Sequence, residues 1–268
     1  YQVLNNTIKC GIVKARYHNN MVITHASHHS WFKETAADSL SHYGKSDKKR
    51  LSRAIIEAPL HNIKAVFAKA DEIFFEWFIP LYNETITQKN NPLVFDVRGT
   101  TVDKPDKNSV YKTLTLWQGE KIVGGCIFSC WEERYSIAYR IFSKDWPDYS
   151  LTANPALYAE YLMDEYTRTH EKATLSHGLD RNPYGINSSI GLAMFKLSVG
   201  CNAKLRHNHL EKFELDTDSL TTDTLVLHYP ETGELITEAT LVCNEQNLKK
   251  YDQLFSYGDR LKINTIIK

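Results

Sequence analysis

Charge of one sign is what this 268-residue sequence lacks. Its 32 Lys and Arg are matched by 32 Asp and Glu, and the pI lies near 7.3. No whole-molecule field therefore draws in nucleic acid or an anionic membrane, and an anionic partner has to be held by a local patch. A long apolar run is missing as well. No stretch approaches the roughly 20 residues that span a bilayer, and no signal peptide is visible, so a cytoplasmic protein without membrane attachment is expected. Cysteine is sparse and unpatterned: Cys10, Cys126, Cys130, Cys201 and Cys243 are odd in number, scattered, and match no zinc spacing. Reduced thiols follow from that. No internal repeat or low-complexity tract appears. The chain opens on Tyr1 rather than Met, which leaves open an upstream segment removed from it.

What is present is an ordinary core-forming composition, 42% hydrophobic, on a chain long enough for one large domain or two small ones. Residues 1–25 read as short strands with an Asn19-Asn20 turn, and HASHHSWF (25–32) as a polar loop. A histidine-based metal site built on 25–29 and on RHNH (206–209) is the weakest of the functional readings. SDKKRLSRAIIEA (46–58) predicts a helix capped by Ser46 or Asp47, with Leu51, Ala54 and Ile55 at helical spacing. HNIKAVFAKA (61–70) predicts a strand. A helix over 71–88 follows, capped by Asp71, kinked at Pro80, and carrying the aromatic set Phe74, Phe75, Trp77, Phe78 and Tyr82 as core. Residues 89–109 read as loop.

Three strands then form an antiparallel meander, beginning with YKTLTLW (111–117), in which Leu114 and Leu116 share a face. Gly124-Gly125 inside the second strand calls for a bulge or a close approach. Asn154-Pro155 starts a helix by the cap-plus-proline rule, with Leu157, Tyr158, Tyr161, Leu162 and Glu165 on one face. ATLSHG (173–178) is a short strand leading to SHGLDRNPYGINSSIGLAMFKLSVG (176–200), a strand end, a polar turn and a helix apolar nearly all round. Asn187 or Ser188 is its expected N-cap. Lys196 is the one side chain between Arg181 and Lys204 expected to be charged, and burying an ammonium costs its hydration. Strands near 203–215, 222–229 and 234–242 and a polar tail close the chain.

The order strand, strand, strand, helix, strand, helix, strand from 111 to about 210 resembles a GNAT (N-acetyltransferase) core. Three stretches resemble the branch of Fem-type peptidyltransferases and BioF2-like acetyltransferase domains: the basic helix KSDKKRLSRAIIEA (45–58), the strand pair WQGEKIVGGCIFS (117–129), and the strand–turn–helix at 177–200 with its Phe195-Lys196 pair. Val199 stands where that branch carries an aromatic residue. The glycine-rich pyrophosphate loop of ordinary acetyl-CoA GNATs has no counterpart in FSKDWPDYSLTANPAL (142–157), as in Fem-type enzymes.

The resemblance implies an α/β (α+β) GNAT-like fold. Its central, mostly antiparallel twisted sheet would be flanked by helices, with extra N- and C-terminal strands. The expected division is N-terminal strands at 1–44, a catalytic core at 45–212 and a β-rich extension at 213–268. The implied activity is N-acyl or aminoacyl transfer to an amine by direct attack, without a covalent enzyme intermediate. The donor would be acyl-CoA, an acyl carrier protein or aminoacyl-tRNA, with no tightly bound cofactor and no metal. Strands that splay apart would offer backbone donors to the reacting carbonyl.

Lys196 would hold negative charge on the donor or intermediate, with snorkelling to water as the structural counter-reading. Asp180, or His177 near its unperturbed pKa, would take the amine proton; Asp180 could instead pair with Arg181 or cap the turn. Tyr184 and Asn182 would bond substrate, Arg181 would line the same turn, and Gly185 would supply a special backbone angle. Lys48, Lys49, Arg50 and Arg53 would clamp phosphate, a solvated helix face being the alternative. The rival reading from another class is a non-catalytic binding module that keeps the fold.

Overall fold

A computed structural model describes residues 20–26, 29–88, 94–103, 110–144, 153–179, 186–187, 190–205, 210–230 and 232–268. In chain order the elements are β1 (Asn20–Ala26), β2 (His29–Glu34), α1 (Lys45–Leu60), β3 (Ile63–Ala68), α2 (Glu72–Thr87), β4 (Val110–Gln118) and β5 (Lys121–Cys130). There follow β6 (Arg134–Phe142), α3 (Pro155–Thr169), β7 (Thr174–Leu179), β8 (Ile186–Asn187), α4 (Ile190–Ser198), β9 (Asn202–Leu205) and β10 (Leu210–Asp216). The chain ends with β11 (Thr224–His228), β12 (Leu235–Ile236), β13 (Glu238–Cys243), α5 (Asp252–Phe255) and β14 (Lys262–Ile267). The three-strand, helix, strand, helix, strand order expected over 111–210 is the order found, with the two-residue β8 inserted. The protein is a mixed α/β structure built on a mostly antiparallel sheet flanked by helices. The chain divides into two compact units, one at 33–178 and the other formed by 1–32 with 179–268.

In the first unit, β3, β4, β5 and β6 are antiparallel neighbours and β7 joins β6 in parallel. Helices cover both faces. Phe74, Phe75, Phe78 and Tyr82 of α2 pack with Ile127 and Ile141, whereas Phe128, on the opposite side of β5, meets Tyr166 of α3. Thr113 and Thr115 of β4 are therefore buried along with Leu114 and Leu116, so the strict alternation of 111–117 does not mark a solvent face here. The glycine pair answers the expectation of close approach: a Cβ on Gly124 would lie 2.7 Å from the Phe142 ring, and one on Gly125 2.9 Å from the Phe74 ring. The register of β4 against β5 shifts beside them, between Leu116 and Trp117.

The caps read from sequence hold at two helices. Asp71 accepts from Phe74 N at 2.8 Å and Asn154 from Leu157 N at 2.8 Å. Pro80 lies inside α2, a single helix from Glu72 to Thr87. Helix α1 begins one residue earlier than expected, with Gly44 at its N-cap and Ser46 and Asp47 already within the first turn. Within the stretch read as loop, Gly99–Asp103 forms a short helical turn of π type.

In the second unit, β1 pairs with β10, and the first four residues of β2 pair with β9, which pairs with β12. A four-stranded sheet runs β14-β13-β11-β8. Two expectations fail here. HASHHSWF is not a polar loop from His29 onward: His29 and Trp31 are wholly buried in β2, and His29 Nδ1 lies 2.8 Å from Tyr229 OH. The polar tail contains β14, parallel to β13, with the turns of 245–255 supplying the connection that a parallel pair needs. Asn187 lies in β8 opposite Leu225 rather than capping α4; Ser188 is outside the described residues.

Candidate active site

The face of α3 that turns inward is not the one its apolar residues suggest. Of the expected face Leu157 and Tyr158 are buried, as are Ala159, Glu160, Met163, Asp164 and Thr167, whereas Tyr161, Leu162 and Glu165 are half-buried. Glu160 and Asp164, one helical turn apart, thus enter the interior of the 33–178 unit. Lys33, at 1% exposure, meets both: its Nζ is 2.6 Å from Glu160 Oε1 and 2.7 Å from Asp164 Oδ1. Tyr43 OH donates to Asp164 Oδ2 at 2.5 Å. Arg140 of β6 donates from Nη1 to Glu160 Oε2 at 3.2 Å. His177 of β7 brings Nε2 to 2.8 Å from Glu160 Oε1, off the angle of a well-aligned hydrogen bond. Lys33 is held by its own strand: two residues on, Thr35 N donates to Ala173 O at 2.8 Å, just before β7.

These groups shift one another's protonation. Burial alone would raise Glu160, but protonated His177, Lys33 and Arg140 overcome it and hold the carboxyl well below the usual carboxylate range. Asp164, with Lys33 as its one cationic neighbour among these, is pushed up by burial and by Glu160 to about 7. His177 is pushed down to about 4, mainly by burial and against the pull of Glu160. It was expected near its unperturbed pKa; the interior disfavours imidazolium, and the ring is neutral at neutral pH.

Beside this cluster the parallel ladder stops. Strands β6 and β7 pair only over Arg134–Thr174, Tyr135–Leu175 and Ser136–Ser176, although β6 continues to Phe142. The register of β5 against β6 shifts at the same place, so that Ala138 is skipped between Ile137 and Tyr139. A bulge of this kind bends a strand and ends its pairing. Arg140 lies on the stretch of β6 beyond it. Gly178, at the far end of β7, adopts φ +71°.

Of the residues singled out from sequence, Lys196 is 4% exposed on α4, with Nζ 5.4 Å from the centre of the Trp31 ring. Snorkelling to water is thereby overturned, because almost none of the side chain reaches solvent. Arg260 Nη1 donates to Leu197 O at 2.6 Å, at the C-terminal end of the same helix. Asp180, Arg181, Asn182, Tyr184 and Gly185 lie outside the described residues, as does 206–209. On α1, Lys49, Arg50 and Arg53 are exposed and Lys48 half-buried; Arg50 reaches Asp47 at 3.5 Å, an exposed pair of little energetic weight. Sequence reading missed Lys33, Tyr43, Arg140, Glu160 and Asp164. The available signal was ALYAEYLMDEY, in which two carboxylates four residues apart interrupt an apolar helix.

No protein-family model and no curated protein matches the sequence. Solved structures do. The chain is similar to FemX (11% identity over 75% of this chain and 65% of that one, TM-score 0.48). It is similar to L-PGS from Bacillus licheniformis (12%, 67% and 50%, TM-score 0.43). It is also similar to a conserved protein of unknown function from Bacteroides thetaiotaomicron (11%, 74% and 62%, TM-score 0.43). The chain thus spans between 50% and 65% of the length of these structures.

Proposed function

We propose that the chain is an N-acyl- or aminoacyltransferase. The observation that carries this reading is the parting of β6 from β7 at the Ala138 bulge, beside the buried Glu160–His177–Arg140 group. A strand that leaves its partner can turn main-chain N–H groups toward a ligand, and such donors stabilise the oxyanion of an acyl-transfer intermediate. The amine nitrogen attacks the donor carbonyl carbon and a tetrahedral oxyanion forms. The C–S bond of a thioester, or the C–O bond of an aminoacyl ester, then breaks. The amine proton passes through a base to the leaving thiolate or ribose oxygen. Acyl-CoA, an acyl carrier protein and aminoacyl-tRNA are the candidate donors.

As the resemblance implies, Lys196 would hold negative charge on the donor, Asp180 would take the amine proton, and Tyr184, Arg181, Asn182 and Gly185 would bind substrate. Burial of the Lys196 ammonium in an apolar helix supports its part. His177, neutral and enclosed, serves as a hydrogen-bonding group rather than as the base. The exposed basic face of α1 is the candidate for a donor's phosphates.

Calorimetric titration with acyl-CoA and with charged tRNA, followed by a transfer assay with a panel of amines, tests the reading. Saturable binding of one donor and turnover that falls at least tenfold in Lys196→Ala, with an unchanged melting temperature, is the expected result. Binding of neither overturns acyl-CoA and aminoacyl-tRNA as the donors, and donor binding without turnover would favour the non-catalytic binding module.

A further inference from the structure

Helix α1 leaves one face in solvent from end to end. Leu51, Ala54 and Ala58 are its buried residues, and the opposite line runs Lys45, Lys49, Arg53, Ile56 and Leu60. All five are exposed. Ile56 is 68% and Leu60 75% exposed, more than any other large apolar side chain among the described residues. A single apolar residue on a surface is ordinary, but two in line one helical turn apart form a contact surface.

The basic half of the line does nothing for the helix itself. Lys45 with Lys49, and Lys49 with Arg53, are like charges four residues apart, a spacing that destabilises an isolated helix. Over Lys45–Leu60 five cations stand against two carboxylates, on a chain whose net charge is zero. Of those carboxylates Asp47 is engaged by Arg50 at 3.5 Å, and Arg50 lies off the line.

The order of the side chains restricts the occupant. Cations come first and aliphatics follow, along one line of about 22 Å at a rise of 1.5 Å per residue. A nucleic-acid backbone offers phosphates throughout and leaves Ile56 and Leu60 unused. A helix lying on an anionic bilayer carries apolar residues along its whole length, with the cations on the other face. A second copy of α1 fails in both directions: parallel, it sets cation against cation, and antiparallel, cation against aliphatic. The segment 1–19, with Lys9, Lys14 and Arg16 and no carboxylate, has the wrong sign. What fits is a helix with carboxylates over two turns and aliphatic side chains over the next.

We propose that this face of α1 docks an acidic amphipathic helix of a partner protein. Its carboxylates lie on Lys45, Lys49 and Arg53, and its aliphatic side chains on Ile56 and Leu60. The cations select the partner and set its register, as charges at an exposed rim do more for encounter and specificity than for affinity. The aliphatic pair supplies the part of the contact that excludes water. This rests on the transferase reading only in taking the partner for the carrier of the acyl group, which among the candidate donors favours the carrier protein.

Two labelled helical peptides, cross-linked on the far side, are the probes: three Glu one turn apart followed by two Leu, and the reverse order. Fluorescence anisotropy reads their binding to the full chain. One of the two directions should bind saturably, and more tightly at low salt. Replacing its Glu by Gln should weaken binding at least tenfold, and its Leu by Ser at least fivefold. On the protein, Lys49→Glu with Arg53→Glu should abolish binding of that peptide and admit one with Lys in place of Glu. Ile56→Ser with Leu60→Ser should weaken binding at least fivefold. Melting temperatures should hold, because all four positions are exposed. Failure of both peptides to bind, or binding indifferent to these changes, overturns the proposal. The peptide changes are read on the unmodified protein, so a variant that does not fold leaves the test intact. Mixed tRNA, and vesicles of phosphatidylserine in phosphatidylcholine, are titrated alongside. If either binds through Lys49 and Arg53 where the peptides do not, a phosphate-bearing ligand replaces the partner protein and the proposal falls. No acyl transfer is measured, so loss of the transferase reading and loss of this surface are separate outcomes.

Discussion

Replacing Lys33 by Met probes the energetics of the buried cluster. The thioether roughly fills the lysine stem but removes the ammonium now 2.6 Å from Glu160 and 2.7 Å from Asp164. Deleting one partner of a buried ion pair typically costs about 3–5 kcal/mol, because the charge left behind has lost both its water and its counter-ion. Two features set the expected value near the lower end. Arg140 still holds Glu160 at 3.2 Å, and Asp164 can take up a proton instead of remaining an unpaired anion. The cost should therefore be about 3 kcal/mol at pH 8.5, where both carboxylates are otherwise ionised, and smaller at pH 5.5, where Asp164 is neutral. Urea unfolding at the two pH values measures it, with the slope of the transition checked to be unchanged. Adding Glu160→Gln should recover part of the loss. A cost below about 1 kcal/mol at pH 8.5, the floor set by exposed ion pairs, would refute the assignment of Lys33 as the hub of the cluster.

The remaining predictions concern linkage, packing and capping. Asp164 has its carboxyl raised from 3.8 to about 7 in the folded chain, so its contribution to stability grows as pH falls from 7 toward 4. His177 is lowered from 6.5 to about 4, so its contribution is lost over nearly the same window as pH falls. The two slopes oppose one another, and the unmodified protein should be nearly pH-independent between 6.5 and 4.5. Asp164→Asn should uncover a loss approaching about 1.4 kcal/mol per pH unit on acidification, and His177→Gln a gain of opposite sign, both read from urea unfolding across pH. Gly125→Ala places a methyl 2.9 Å from the Phe74 ring and 3.2 Å from Trp77, and thermal unfolding should report a loss of about 1–3 kcal/mol. Asn154→Ala removes the acceptor for Leu157 N and should cost about 1 kcal/mol by the same measurement.

Much of the fold was legible because its signals are local. A cap and the amide it satisfies lie three residues apart at Asp71–Phe74 and Asn154–Leu157, and a meander of adjacent strands needs only alternation and turns. Gly124-Gly125 announced its own crowding. The signals that misled were local too. HASHHSWF looked polar because histidine and serine are, yet His29 and Trp31 are enclosed in β2. The residues of β14 looked like a tail because KINTII shows no period-2 pattern, and in the fold the strand is mostly exposed, with only Ile263 and Ile266 half-buried.

The amino-acid sequence by itself determined most of the helices and the strands of the central meander, how several of them begin, and that a cation sits in the apolar helix at Lys196. Only the tertiary structure decided which face of α3 is inward, and with it the candidate site in the larger unit. Lys33 and Asp164 are 131 residues apart, so the ion pair that makes an acidic helix face burial-competent has no short-range trace. Without its counter-charges, Glu160-x-x-x-Asp164 reads as a solvated stripe; with Lys33, Arg140 and Tyr43 brought against it, the same stripe becomes an interior surface. The end of the β6–β7 ladder is likewise a tertiary fact, since parallel pairing depends on where a chain returns after a helix and not on the residues of either strand alone.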